Sequence, residues 1–189
     1  MVIYQDSIYA LTPTQLFKGY LPNPILPDYS QWDRDIRFPF QLTNKYAELQ
    51  QIGQQFWVLR KDETYGQDSV FRLVNDQLQL VTDQPFSLEI NSIQAIGIQM
   101  AVSTDGGFML YNADAQWQTA YSSNLLDRWL NTSRVCYIKN AFWRADKAWG
   151  LQEHINEYSC KRYLIEGLAN RYVYAMDWQK GVFAVSSGR

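Results

Sequence analysis

Four apolar residues at every second position, Ile96, Ile98, Met100 and Val102, run directly into Asp105-Gly106-Gly107 and constrain this chain more than any other feature. Apolar side chains at period two mark an extended segment with one buried face. A pair of glycines supplies the positive φ angles of a tight hairpin at little steric cost. Phe108, Leu110 and Tyr111 resume the strand, Asn112-Ala113-Asp114 is a second turn, and Trp117, Thr119 and Tyr121 form the return strand. Beyond it, Ser122 or Ser123 can cap a helix, Asp127 suits its first turn, and Leu125, Leu126, Trp129 and Leu130 fall on one stripe. A strand meander feeding an amphipathic helix predicts an α+β fold, mainly antiparallel sheet with packing helices, in a single domain over residues 1–189.

The rest of the chain is read against that centre. Thr12-Pro13-Thr14-Gln15 has a cap, a proline at the first helical position and a capping-box glutamine, with Leu11 and Leu16 placed for a staple. These predict a short helix that Gly19, Pro22, Pro24 and Pro27 then break. The proline-rich stretch from Leu21 to Phe40 is expected to be an extended, aromatic-bearing connection wrapped on the body of the domain. Tyr46, Leu49 and Ile52 have helical spacing and predict a surface helix over residues 44–55. Phe56 to Leu59 reads as a strand, and two further runs meet in a hairpin about Asn75-Asp76. Val135, Tyr137 and Ile138 begin another extended segment, residues 148–159 lean helical, and the chain closes on a hairpin about Gln179-Lys180-Gly181.

Several function classes find no motif. His154 is the one histidine, so any Ser-His-Asp or Cys-His nucleophile has to use it, and neither Cys136 nor Cys160 sits in a nucleophile turn. The cysteines also lack metal-site spacing and are expected to be reduced and buried; no cofactor and no metal is expected. Gly106-Gly107 is a turn rather than a phosphate loop. Asp28, Asp33 and Asp35 lie beside Tyr29 and Trp32, so a carboxylate-dependent, glycoside hydrolase-like activity using Asp33 and Asp35 is the enzyme alternative, with Arg34 and Arg37 at hand to neutralise them instead. Arg144, Lys147, Lys161, Arg162 and Arg171 are candidate nucleic-acid contacts, but acidic residues interrupt them and the pI is about 5.4, so nucleic acid is not the expected partner. No apolar run is long enough to span a bilayer, and the first residues carry Asp6 and no base, so the cytoplasm is the expected location.

Charge is distributed unevenly. Residues 61–133 hold three basic and nine acidic groups, a net of −6, whereas residues 134–189 hold nine basic and five acidic, a net of +4. The two segments either complement each other within the fold or the acidic one docks a basic partner. On the second reading the partner-binding residues are Asp62, Glu63, Tyr65, Asp68, Asp76 and Asp83.

Ile25-Leu26-Pro27-Asp28-Tyr29, the Ile96-Gly97 and Asp105 to Tyr111 strand pair, and Leu125-Leu126-Asp127-Arg128-Trp129-Leu130 together resemble the SUKH-type bacterial immunity proteins between Ile25 and Leu130. The first of these looks like that family's "LP-x-Y" segment before a helix. The resemblance implies a non-catalytic bacterial protein that binds and neutralises a toxin domain, often a nuclease or deaminase. A hydrolase, or an accessory subunit of a larger assembly, are the alternatives carried forward.

Overall fold

The computed structural model describes residues 1–81, 89–122, 131–147, 149–163, 173–179 and 182–187. Two compact units divide the chain, Met1–Ser87 and Leu88–Arg189. The first holds β1 (Val2–Tyr4), β2 (Ser7–Leu11), β3 (Leu16–Tyr20) and β4 (Asp33–Arg34) in one sheet, then β5 (Lys45–Ile52), β6 (Gln55–Lys61), β7 (Ser69–Val74) and β8 (Gln77–Leu80) in another. The second unit holds β9 (Ile90–Ile96), β10 (Gln99–Thr104), β11 (Gly107–Asn112) and β12 (Trp117–Tyr121), then β13 (Thr132–Ile138), β14 (Ala141–Asp146), β15 (Gly150–His154) and β16 (Cys160–Tyr163). A hairpin of β17 (Val173–Gln179) and β18 (Val182–Ser187) follows. Every described sheet is an antiparallel meander in chain order. Four-stranded meanders of this kind are the repeating element of β-propeller blades.

The expected α+β class is therefore wrong. Among the described residues there is no α-helix, only a single 3₁₀ turn at Tyr29–Gln31, and none is long and apolar enough to cross a membrane. The proposed helix over Leu125, Leu126, Trp129 and Leu130 lies outside the described residues.

Each misread helix has a physical cause. Thr12 does accept the Gln15 N–H on its hydroxyl at 3.1 Å, as a cap would, but the Thr12 N–H also donates to the Gln15 carbonyl at 2.9 Å. Leu11 and Leu16, the expected staple, are cross-strand partners, so the four residues close the β2–β3 hairpin. The carbonyls of Pro13 and Thr14 accept from Tyr46 and Gln41 at 2.8 and 2.9 Å rather than from the next turn of a helix. Tyr46 and Leu49, three apart, share one core because the β5–β6 register shifts between Tyr46 and Glu48, and the extra residue returns both side chains to the same face. Of the stretch expected to lean helical, Gly150–His154 form β15 and residues 155–158 a bend.

Other turns match their chemistry. Asn75 and Asp76 adopt φ of 49° and 60°, the paired positive values of a type I′ hairpin. The Asp105-Gly106 turn joins β10 to β11 as expected, and Gly107 (φ 133°) approaches β12 so closely that a Cβ there would lie 2.2 Å from the Tyr121 carbonyl oxygen. The strand expected from Ile96 onward instead breaks at Gly97 (φ 61°), leaving Ile98 on a turn and 81% exposed.

In the first unit Tyr9, Leu16, Phe38, Tyr46, Leu49, Phe56, Val58 and Leu73 form one core between the two sheets, with Tyr9 and Phe56 rings 4.8 Å apart. In the second, Ala101, Phe108 and Leu110 from β10 and β11 pack on Val135 and Phe142 from β13 and β14. The middle strands are buried on both faces, as in Phe56 to Leu59 and Met100 to Thr104. A doubly covered strand reads as a continuous apolar run without alternation.

Candidate protein-interaction surface

The acidic residues singled out from the sequence do not assemble into one patch. Asp62, Glu63, Tyr65 and Asp68 occupy the loop from β6 to β7. Asp68 is buried there; its carboxylate takes the Lys61 ammonium and the Asp62 N–H, the latter at 2.9 Å. Asp62 in turn accepts the Thr64 N–H at 2.8 Å, so these two carboxylates build the loop. Glu63 and Tyr65 are exposed. Asp76 sits at the opposite end of β7, about 20 Å away at some 3.3 Å per residue, and pairs with Arg37 at 3.3 Å. Asp83 lies outside the described residues.

Of the candidate catalytic carboxylates, Asp35 and Asp28 are engaged. Asp35, nearly buried, grips Arg37 through Nε to Oδ1 at 2.9 Å and Nη2 to Oδ2 at 2.7 Å, and accepts the Arg37 backbone N–H at 3.1 Å. The Asp35 carboxylate holds the Arg37 proton more firmly than usual. Asp33 is exposed on β4 opposite Lys18. Asp28 accepts the Ser30 N–H, which holds its carboxyl below the usual range. His154 and Cys160 are cross-strand partners in β15 and β16, and the Cys160 thiol donates to Gln152 Oε1 at 3.2 Å. No group of three metal-ligating side chains occurs among the described residues. Of the basic candidates, Arg144 is fully buried, Lys147 donates to Asn91 at 3.2 Å, and Lys161 and Arg162 lie over the rings of Tyr163 and Trp149; Arg171 is outside the described residues.

A different surface emerges on the loop that leaves β4. The loop is pinned at several points. The Asp35 N–H donates to the Leu16 carbonyl at 2.9 Å, the Phe38 N–H to the Asp35 carbonyl at 3.1 Å, and the Gln41 N–H to the Thr14 carbonyl at 2.9 Å. Tyr46 Oη donates to the Pro39 carbonyl at 2.9 Å, while the Phe38 ring is wholly buried, edge-on to Tyr46. Burial raises the Tyr46 hydroxyl pKa, keeping it protonated for that bond. From this fixed backbone Ile36, Phe40 and Leu42 project 87%, 47% and 80% exposed. Arg34 lies over the Phe40 ring, 5.6 Å from its centroid, and makes no ion pair among the described residues.

Alternation through Ile36, Phe38, Phe40 and Leu42 would have put all four on one face; the turn at residues 36–38 sends Phe38 inward and leaves the others outside. The sequence signal that could have found this loop is the density of large apolar residues around Arg34, Arg37 and Pro39, where a solvated connection would be polar.

No family profile and no curated protein matches the chain. The extracellular domain of a hybrid two-component system from B. thetaiotaomicron is similar in structure, with a TM-score of 0.64 and 14% identity over 95% of this chain and 24% of that one. The chain thus spans about a quarter of the length of that extracellular domain. Hsv2 of Kluyveromyces lactis is similar with a TM-score of 0.57 and 10% identity, covering 98% of this chain and 71% of that chain. At such identities the likeness is one of fold alone.

Proposed function

We propose that the chain is a protein-binding scaffold of propeller-type blades, and that the loop carrying Arg34, Ile36, Phe40 and Leu42 is its docking site. The observation that carries this reading is the combination of a backbone fixed by four hydrogen bonds and a buried phenylalanine with three large apolar side chains turned outward. Exposed apolar side chains held in place lose little conformational entropy on binding, which is how preorganised hot spots gain affinity. Arg34, over the Phe40 ring and without a carboxylate of its own among the described residues, sets the partner's chemistry: an apolar segment that brings an acidic side chain beside its hydrophobic anchors. No aromatic-lined pair of facing carboxylates supports the hydrolase alternative among the described residues, since Asp35 is committed to Arg37.

The test compares affinity capture by the wild-type chain, an Ile36→Asp/Leu42→Asp variant and a Glu63→Lys variant. Loss of a stoichiometric partner in the first variant and its retention in the second supports the loop; equal capture by all three removes it. The same comparison tests the toxin-neutralising role that the SUKH resemblance implies. A captured nuclease or deaminase domain, released by the loop variant, carries that role, and capture of any other partner removes it.

A further inference from the structure

Three buried polar atoms face the space between the two four-stranded sheets of the second unit, and none has a hydrogen-bond partner among the described residues: Ser103 Oγ, Arg144 Nη1 and His154 Nε2. Strand register places them. Ser103 is directly opposite Ser92 on β9 and Phe108 on β11, so the three share a face. That face looks toward β13–β16, because Ser92 Oγ donates to the Ser133 carbonyl at 2.7 Å and the Phe108 ring meets Phe142 and His154 at 5.6 and 5.2 Å. On the other side Arg144 is two residues from Phe142 and opposite Gln152, and His154 is two residues beyond Gln152, so both look back at β9–β12. Ser103 and Arg144 are 0% exposed and His154 is 5% exposed.

The hydrogen-bonding character of each atom follows from its other contacts. Arg144 spends Nε and Nη2 on Gln152 Oε1, which leaves Nη1 as a pure donor. His154 Nδ1 lies 3.3 Å from the Asn156 carbonyl, which can only accept, so Nδ1 carries the proton and Nε2 presents a lone pair. The Ser103 hydroxyl both gives and takes. A donor, an acceptor and a hydroxyl, each buried without a partner on facing strands of one inter-sheet layer, match the coordination of one water molecule, which makes about three hydrogen bonds when buried. An anion fits poorly, because the His154 lone pair would face it.

We propose that this inter-sheet layer is a binding site for a single internal water, accepting from Arg144 Nη1, donating to His154 Nε2 and completing its shell with Ser103 Oγ. The water joins the second strand of one sheet to the second and third strands of the next. It thereby supplies a polar tie where Phe108, Tyr121 and Phe142 give only contact.

Two measurements decide it. In a crystal structure of the whole chain, one ordered water is expected within hydrogen-bonding distance of all three atoms, about 2.7–3.2 Å. Direct bonds among the three, or bromide at that position after a halide soak, would overturn the proposal. The second measurement compares the melting temperatures of Ser103→Ala and Ser103→Val. Displacing the water strands Arg144 and His154, so the valine variant should melt several degrees below the alanine variant. A valine variant that melts at or above the alanine variant shows a dry gap that the extra methyl groups fill, and sinks the proposal. If the valine variant does not fold, the wild-type crystal alone decides.

Discussion

Lowering the pH from 7 to 4 should destabilise the second unit through His154. Burial, followed by the charge of Arg144, pushes its pKa down from 6.5 to about 4. Because the folded value is depressed, the neutral ring's contribution is whole above pH 6.5 and is lost as the pH falls toward 4, where the unfolded chain binds a proton that the folded chain resists. The separation, 6.5 minus about 4, corresponds to about 3 kcal/mol in full, of which about 2 kcal/mol is gone by pH 5. Around the ring are the Arg144 guanidinium from β14, the Tyr121 ring from β12 and Cys160, its cross-strand partner on β16, while the Glu157 carboxylate acts on Tyr121. Urea unfolding at a series of pH values, followed by tryptophan fluorescence, reads the effect in the wild type and in His154→Gln, which cannot charge. Carboxylate titration is common to both proteins and drops out of the difference. At an m-value of about 2 kcal/mol/M, the wild-type midpoint should fall by about 1.5 M more than the variant's between pH 7 and pH 4. Parallel pH profiles would refute the reasoning, since they would mean that the ring charges as easily in the fold as out of it.

Gly107→Ala should cost about 2 kcal/mol or more, read as a fall in melting temperature, because the new Cβ meets the Tyr121 carbonyl oxygen at a φ of 133°. Arg37→Met should lose about 2 kcal/mol by stranding the Asp35 carboxylate, less than for a fully buried pair because the Arg37 side chain is 27% exposed; adding Asp35→Asn should restore most of it, and a double variant no more stable in urea than the single one contradicts this. Ile36→Asp/Leu42→Asp should leave the melting temperature within a few degrees of wild type, since both side chains are outside the core. A large fall would assign them to packing rather than to docking.

Turns were the most legible part of the sequence. Asn75-Asp76 and Asp105-Gly106 announce hairpins through residues that tolerate left-handed or tight backbone, a preference local to the turn itself. The helices were misread where a local signal is shared between structures. Thr12 offers the same hydroxyl to Gln15 whether the chain continues as a helix or folds back, and only the distant partners Gln41 and Tyr46 decide. The spacing of Tyr46 and Leu49 is helical unless a bulge intervenes, and a bulge leaves no mark in composition. For the site, the acidic residues were visible but their use was not. Asp68 looks like a surface charge until the loop closes on it, and Phe38 is indistinguishable from Phe40 until the turn at residues 36–38 sends one side chain inward.

Every described strand pairs only with its neighbours in sequence. Such an arrangement has short loops to close and little entropy to lose before the first contacts form, which places it among folds of low contact order despite being all β. No described strand waits for a mate from the far end of the chain, so each meander can order soon after it is synthesised. The inner edge of each strand is covered by the strand that follows it, within one hairpin's length, which limits the time in which another chain could pair with it.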